Sequence, residues 1–301
     1  MLYLRLVNAT LRLWIKPLWT RSPTADRVRR RFRRLDQIGS LGRRAVPVSR
    51  ESVGGVDVEW IRPTHTAGAG VVVFLHGGAF CGRAERADRR FCQRISALTG
   101  LPVLLLPYRL APEHPFPAAL EDGVRVLAAL SGQGVVVVGH SAGANLALSA
   151  LMRMRDTGQT LPAGAVLLSA PLDLTPAGAA ATADHRHDSM ASHALLPWVV
   201  RHYVAGADVA HPDISPLLGD WQGLPSLSFH ASTSEMLVPD SRRAVDMAQR
   251  AEVDAELHLW ERQPHNFAFV DGLPEAAQCH RQVSQFIQRA LAAQARDGRP
   301  G

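Results

Sequence analysis

Lysine is almost absent from this sequence of 301 residues, in which Lys16 is the only lysine among 33 basic side chains. Arginine therefore carries nearly all of the positive charge, and the formal net charge is +6. Six arginines crowd one short predicted helix: Arg27, Arg29, Arg30, Arg31, Arg33 and Arg34. A strongly basic balance raises the question of nucleic acid, but the sequence contains no nucleic-acid-binding motif. We interpret the arginine helix as a solvated face and predict no nucleic-acid partner.

Cysteine is scarce too, and its three copies are scattered: Cys81, Cys92 and Cys279. An odd, dispersed set does not form the disulfide framework of a small secreted protein, so we expect a reducing, cytoplasmic compartment. Metal-binding spacings such as H-E-x-x-H and paired C-x-x-C are also missing. Four histidines lie within one short stretch: His185, His187, His193 and His202. Their spacing is more typical of a polar lid segment, and we predict no metal site.

Long apolar runs are missing as well, since no stretch reaches the roughly 18 uninterrupted apolar residues of a membrane-spanning helix. Residues 1–20 nevertheless have the pattern of an amphipathic helix. Polar side chains recur every three or four positions: Arg5, Asn8, Arg12 and Lys16. The charges are too frequent for a secretory signal peptide. Two interpretations stay open: a cap helix packed over a ligand pocket, or peripheral contact of residues 1–34 with an anionic membrane.

Short apolar runs alternate with amphipathic segments through the rest of the chain. Strands are predicted near 56–61, 71–75, 103–106, 135–138, 164–169, 226–231 and 254–260. Helices are predicted near 84–99, 117–131, 142–155, 240–251 and 275–293. Alternation of this kind favours an α/β fold with a mostly parallel central sheet and helices on both faces. A ligand then binds at the carboxyl ends of the strands.

The most informative motif is G-H-S-A-G at 139–143, directly after the apolar strand 135–138. The segment that follows it has the pattern of a helix. A serine between glycines at a strand-to-helix corner is a nucleophile elbow, in which the tight turn lifts the hydroxyl of Ser141 above the sheet edge. The motif therefore predicts Ser141 as a catalytic nucleophile.

Two other segments supply what such a serine needs. The loop after strand 71–75 is rich in small residues, and its backbone N–H groups can bind an oxyanion. The predicted oxyanion hole consists of Gly77, Gly78 and Ala79, together with Ala142. Glu235 follows the strand near 226–231 and His265 follows the strand near 254–260. The order is therefore serine, acid, histidine, as this fold requires. Asp240 is the rival acid, which we interpret as part of the first turn of the next helix.

Taken together, these motifs resemble the hormone-sensitive-lipase-like group of α/β-hydrolases, also called the bacterial family IV esterases. The matching stretches are 76–80, 108–118, 139–145, 215–217, 235–237 and 265–267, and the resemblance covers roughly residues 45 to 290. Three positions depart from the family pattern. Ala79 replaces the third glycine of the HGGG motif, His140 replaces the usual aspartate before the nucleophile, and Glu235 stands where many members carry aspartate.

The resemblance implies an α/β-hydrolase domain, residues 46–301, under a helical cap made of residues 1–45 and an insertion near 174–222. It implies a serine carboxylic-ester hydrolase that acts on small to medium apolar esters through an acyl-enzyme and needs no cofactor. Phe80, Trp198 and Tyr203 are candidate substrate-binding side chains. A lactone hydrolase or an N-acetyl hydrolase would use the same triad. A non-catalytic small-molecule receptor on this fold is a further alternative, although such receptors lack the histidine. The oligomeric state stays open.

Overall fold

The structure is a computed structural model that describes residues 2–66, 68–182, 184 and 186–296. Eight strands form one sheet in the order β1-β2-β4-β3-β5-β6-β7-β8. Their bounds are β1 Ser49–Val53, β2 Val56–Ile61, β3 Val71–Leu75, β4 Val103–Leu106, β5 Val135–His140, β6 Gly164–Leu168, β7 Ser226–Ser232 and β8 Ala255–Trp260. Strand β2 pairs antiparallel with β1 and β4, and all other pairs are parallel. The mostly parallel sheet predicted from the sequence is confirmed.

Helices cover both faces of this sheet and its carboxyl edge. Their bounds are α1 Leu2–Trp14, α2 Lys16–Trp19, α3 Ala25–Gly39, α4 Glu85–Thr99, α5 Ala118–Ala129, α6 Ala142–Asp156, α7 Pro176–Ala181, α8 Leu195–Val199, α9 Val238–Arg250 and α10 Pro274–Arg296. A π-helical turn spans Val200–Val204, and 3-10 turns span Pro216–Leu218 and Phe267–Phe269. None of the described helices is long and apolar enough to cross a membrane.

The sheet separates two apolar layers. Val72 and Phe74 of β3 point into the layer that contains residues of α4 and α10, and Val73 and Leu75 point into the opposite layer. This alternation follows from the two-residue period of a strand. Both faces of β3 are apolar because each faces one of the two buried layers. Every residue of β3 and β5 is buried, so the strands that carry the oxyanion loop and Ser141 are fixed in the core.

Two details differ from the sequence-based expectations. The sequence does not predict strand β1, because its residues are mostly exposed at the sheet edge and carry no apolar alternation. The amphipathic N-terminal segment is divided into α1 and α2, with Pro17 in the first turn of α2. The arginine helix α3 begins at Ala25, where the side chain of Thr24 accepts the N–H of Arg27 at 3.3 Å and caps the helix.

The N-terminal segment is joined to both the body and the 186–204 segment by hydrogen bonds. Trp19 Nε1 donates to the carbonyl of Met190 at 3.1 Å, and Trp198 Nε1 donates to the carbonyl of Pro23 at 2.6 Å. On the body side, Arg29 donates from Nε to the carbonyl of Cys81 at 2.7 Å. These contacts place α2 and α3 across the edge of the sheet where the predicted site residues lie.

Candidate active site

Ser141 lies at the corner between β5 and α6, in a strained backbone conformation with φ +52° and ψ −123°. The corner is too tight for side chains on either side of it. A Cβ added at Gly139 would lie 2.3 Å from the carbonyl oxygen of Gly143, and one added at Gly143 would lie 2.1 Å from that of Leu75. Strain of this kind persists only where the surrounding structure enforces it, and it is common at active sites.

His265 links Ser141 to Glu235. With a proton on Nδ1, His265 donates to Oε2 of Glu235 at 2.7 Å, and its Nε2 is then free to accept the hydroxyl of Ser141 at 3.1 Å. The other carboxylate oxygen, Oε1, accepts the N–H of Ser232 at 2.8 Å. The structure therefore brings the three residues from separate loops into one continuous hydrogen-bonded chain.

Asp240 lies in the first turn of α9 and does not contact His265. Its Oδ2 accepts the N–H groups of Leu172 and Asp173, at 2.8 and 3.2 Å, so it ties α9 to the loop after β6. Burial raises the pKa of Asp240 to about 6, against the opposing effect of these two hydrogen bonds. The geometry therefore favours Glu235 over Asp240 as the partner of the histidine.

Asp188 is a second carboxylate close to the histidine. Burial by itself would lower the pKa of His265, but the hydrogen bond to Glu235, the charge of Glu235 and the charge of Asp188 together raise it. Asp188 accepts the N–H of Met236, the residue after Glu235, at 2.9 Å, and the N–H groups of Met190 and Ala191 at 2.7 and 2.8 Å. Sequence reasoning places Asp188 only in a polar lid segment, because its three partners are backbone groups that the fold alone assembles.

The oxyanion loop has an unusual backbone. Gly78, Ala79 and Phe80 all have positive φ angles, of +125°, +54° and +59°. A Cβ at Gly78 would lie 2.0 Å from the carbonyl oxygen of Gly82, so glycine is required there. Within the described ranges, the backbone N–H groups of Gly78, Ala79 and Ala142 have no acceptor. These three donors are available to an incoming oxyanion.

Gly77 differs from the other predicted donors. Its N–H donates to Nε2 of His140 at 2.7 Å. The Gly77 N–H therefore already has a protein acceptor, and the contribution of Gly77 to the oxyanion hole stays a prediction. The acceptor is supplied by another strand, and no spacing in the sequence indicates it.

His76 supports the same loop. Burial lowers the pKa of His76 to about 4, so the ring is neutral, and its Nδ1 lies 2.7 Å from the carbonyl oxygen of Gly77. The ring stacks on Tyr108 with centroids 4.2 Å apart, and the Tyr108 hydroxyl donates to the carbonyl of His76 at 2.7 Å.

A cavity of about 270 Å³ opens beside Ser141 and His265. Most of its wall is apolar, and two parts of the chain outside the body contribute to it. The N-terminal segment contributes Tyr3, Ile15, Trp19, Phe32 and Leu35, and the insertion contributes Met190, Ala191 and Leu195. The cavity is thus bounded partly by the loops that carry Ser141 and His265 and partly by residues far from them in sequence.

The three predicted substrate-binding side chains lie outside this wall. Phe80 and Tyr203 are buried and stack on each other with centroids 3.7 Å apart, and Trp198 packs edge-on against Trp19 at 5.4 Å. The Phe80–Tyr203 pair joins the insertion to the body, and Trp198 joins the insertion to the N-terminal segment. Substrate contact by these three side chains stays a prediction. The sequence predicts that an aromatic side chain in a cap segment is buried, but it does not predict whether that side chain points into the cavity or into the packing between segments.

No metal centre is evident among the residues that the structure describes, where no group of three histidine, cysteine or acidic side chains is arranged to hold an ion. His185, one of the four clustered histidines, lies outside the described residues. The three cysteines are buried and form no disulfide bond with one another.

This chain matches a family model and is similar both to known enzymes and to solved structures. A family model described as alpha/beta hydrolase fold matches residues 72–269. An acetyl-hydrolase of Streptomyces hygroscopicus is 34% identical over 261 residues, which cover 85% of this chain and 86% of that protein. A crystallised mutant of the esterase E40 superposes with a TM-score of 0.87 at 30% identity, covering 96% of this chain and 98% of that one. An esterase of the bacterial hormone-sensitive lipase family superposes with a TM-score of 0.81 at 31% identity, covering 89% and 92%. The resemblance drawn from the motifs is confirmed.

Proposed function

This chain belongs to the α/β-hydrolase family and is a carboxylesterase, and we propose that Ser141, His265 and Glu235 are its catalytic triad. The observation that carries the proposal is the continuous chain of hydrogen bonds, 3.1 Å from serine to histidine and 2.7 Å from histidine to glutamate, beside an apolar cavity. Ser141 is poised as the nucleophile because its base is within hydrogen-bond reach and that base is itself oriented.

The reaction proceeds through an acyl-enzyme. His265 Nε2 takes the hydroxyl proton as Ser141 Oγ attacks the ester carbonyl, and Glu235 stabilises the imidazolium that forms. The oxyanion accepts the open N–H groups of the loop and of Ala142. When the intermediate collapses, the alcohol leaves with the proton from His265. Water then hydrolyses the acyl-enzyme, with His265 acting as base once more.

The substrates are small to medium apolar esters. Residues 1–45 and 174–222 act together as a cap on the catalytic domain, residues 46–301, because side chains of both segments line the cavity. A volume of about 270 Å³ has room for roughly nine groups of the size of a water molecule, at about 30 Å³ each. We therefore expect turnover to increase with acyl length and to fall beyond roughly eight carbons.

A panel of p-nitrophenyl esters from acetate to laurate tests this function. Hydrolysis that peaks at a medium chain length and disappears in Ser141→Ala supports the proposal. A δ-lactone and an N-acetyl amine are assayed alongside, and a higher kcat/KM on either would favour the lactonase or the N-acetyl hydrolase. A fluorophosphonate probe followed by peptide mass spectrometry reports the nucleophile directly. Absence of both turnover and labelling at Ser141 would leave the receptor alternative.

A second role, peripheral contact with an anionic membrane, is proposed for the N-terminal segment. Leu2, Leu6 and Leu13 of α1 are between 57% and 75% exposed. Beside them, α3 presents four arginines at helical spacing: Arg27, Arg30, Arg31 and Arg34. The guanidinium of Arg31 lies 5.4 Å from the ring centre of Trp14, which joins the apolar and basic surfaces. Exposed apolar side chains next to cations are what an anionic lipid surface binds.

The basic surface differs from the stripe expected in α1. Arg12 donates to the carbonyl of His187 at 3.3 Å, and Lys16 donates to the carbonyl of Asp188 at 2.7 Å. Both cations therefore fasten α1 and α2 to the insertion. The cations that face a membrane come from α3 instead.

Vesicle co-sedimentation at low salt tests this role with the full chain. We expect binding to phosphatidylglycerol vesicles and none to phosphatidylcholine vesicles. Removing two arginines, in Arg30→Gln with Arg34→Gln, should weaken binding roughly thirtyfold at about 1 kcal/mol each. Leu6→Ser with Leu13→Ser should also weaken it, whereas Leu98→Ser, an exposed leucine of α4, should not. Equal binding by the α1 and α4 variants would overturn the proposal.

A further inference from the structure

His140 occupies the last position of β5, directly before the nucleophile. It is 6% exposed, and its ring lies between those of Phe74 and Phe269, with centroid distances of 5.6 and 4.0 Å. Neither neighbour can hydrogen-bond to it, so the polar role of the ring depends on its two nitrogens. The mechanism derived above uses neither of them.

The nitrogen Nε2 faces the oxyanion loop. It accepts the N–H of Gly77 at 2.7 Å, which requires an unprotonated Nε2 and therefore a neutral ring with its proton on Nδ1. Oδ1 of Asp88 lies 3.2 Å from the same nitrogen. Among the described residues Nδ1 has no hydrogen-bond partner. The hydrogen bond of Nε2 is therefore the one that it accepts from the Gly77 amide.

The peptide planes of the loop show what this bond controls. The N–H of Gly77 is held by His140 and its carbonyl by His76, so both peptide groups that flank the Gly77 Cα are fixed. Because a peptide unit is planar and trans, fixing the Gly77 carbonyl directs the Gly78 N–H to the opposite side. Space is fixed as well, since a Cβ at Gly77 would lie 2.7 Å from the His140 ring.

We propose that His140 is a positioning residue: its Nε2 holds the Gly77 amide and so, together with His76 on the Gly77 carbonyl, aims the N–H group of Gly78 at the reacting carbonyl. This inference rests on the acyl-transfer function proposed above. The oxyanion exists only after attack, so the contribution of His140 is made in the transition state. Its loss therefore lowers kcat and leaves KM nearly unchanged.

The expected size of the effect follows from the role of the loop. Removing one oxyanion donor outright costs roughly a hundredfold to a thousandfold in kcat. Misplacing donors that are still present costs less, and we expect a decrease of about tenfold to a hundredfold. A ketone inhibitor that forms a tetrahedral oxyanion adduct on Ser141 should lose affinity by the same factor.

Two pairs of variants test the proposal with p-nitrophenyl butyrate and a trifluoromethyl ketone. His140→Gln places an amide oxygen where Nε2 lies, whereas the shorter His140→Asn does not reach Gly77. His140→Leu removes the acceptor, and Asp88→Asn leaves it in place while removing the neighbouring charge. We expect large kcat losses in His140→Asn and His140→Leu, recovery in His140→Gln, and a change below about threefold in Asp88→Asn.

Three results would overturn the proposal: unchanged kcat and ketone affinity in the folded asparagine variant, a loss confined to KM, or an equal loss in Asp88→Asn. Melting temperatures establish that each variant is folded, and the glutamine and asparagine pair decides the question if the leucine variant does not fold. Failure of the triad itself would look different, because wild-type protein would then lack turnover and fluorophosphonate labelling.

Discussion

Replacing Glu235 by glutamine tests the hydrogen bonds of the proposed triad. One carboxylate oxygen accepts from His265 Nδ1 at 2.7 Å and the other accepts the N–H of Ser232 at 2.8 Å. An amide has only one oxygen, so it cannot satisfy both donors. If the oxygen serves Ser232, the NH₂ group faces His265, the proton moves to Nε2, and this nitrogen can no longer accept the proton of Ser141.

The opposite orientation is no better, because it places the NH₂ group against the buried N–H of Ser232. In serine proteases the corresponding change of the acid to its amide lowers kcat about 10⁴-fold through the wrong tautomer. That factor equals roughly 5.4 kcal/mol of transition-state stabilisation at 1.36 kcal/mol per factor of ten. We expect Glu235→Gln to lose activity by about this factor on p-nitrophenyl butyrate while its KM stays close to that of the wild type.

Asp240→Asn is the matched control. Both hydrogen bonds to Asp240 use Oδ2, and Oδ1 has no hydrogen-bond partner in the described structure, so an asparagine oxygen can keep both. We expect kcat within about threefold of the wild type. A Glu235→Gln enzyme that retains a tenth of the activity, or a larger loss in Asp240→Asn, would refute the assignment of the acid.

Four further predictions concern the same site. Ser141→Ala should remove roughly a millionfold of the rate and leave the melting temperature near that of the wild type; residual turnover at a tenth would contradict it. Activity should rise with pH through a midpoint above 6.5, because the raised pKa of His265 keeps the base protonated below it; a profile that falls between pH 5 and 8 would exclude this base. Asp188→Asn should move that midpoint to lower pH by removing a negative charge, and an unchanged or higher midpoint in a pH-rate profile would count against Asp188. Asp240→Asn should stabilise the protein at pH 8, by up to roughly 3 kcal/mol at 1.36 kcal/mol per pKa unit, because the buried carboxyl with a pKa of about 6 must ionise in the wild type; the gain should vanish below pH 4 in urea denaturation, and a loss at pH 8 would contradict it.

The parts of the fold that the sequence predicted are those in which local pattern and burial coincide. Strands β3 and β5 are buried runs of β-branched residues, and no helix or loop interpretation competes with them. The order of serine, acid and histidine was readable because each follows a recognisable strand. Strand β1 is not predicted from the sequence, because it pairs with β2 through backbone hydrogen bonds and needs no apolar side chains to do so.

The chemistry of individual groups was less predictable than their location. The sequence placed Gly77 in the oxyanion loop, but it could not show that the amide is already taken by His140 from a different strand. In the same way, Phe80 and Tyr203 lie near the site, and their rings bury their apolar surface against each other. In both cases a group can contact either a ligand or another part of the protein, and the tertiary structure determines which contact forms.

The wall of the cavity shows most clearly which contacts a local sequence pattern cannot predict. Trp19 and Phe32 reach it because α2 and α3 are held across the sheet edge by hydrogen bonds to residues more than 50 positions away. Lys16 donates to the carbonyl of Asp188, whose side chain accepts the N–H of Met236 beside the acid. The segment that lines the cavity is therefore bonded, through one residue of the insertion, to the turn that carries Glu235. The shape of the cavity and the position of Glu235 depend on the same docking of the N-terminal segment, which no local pattern in the sequence encodes.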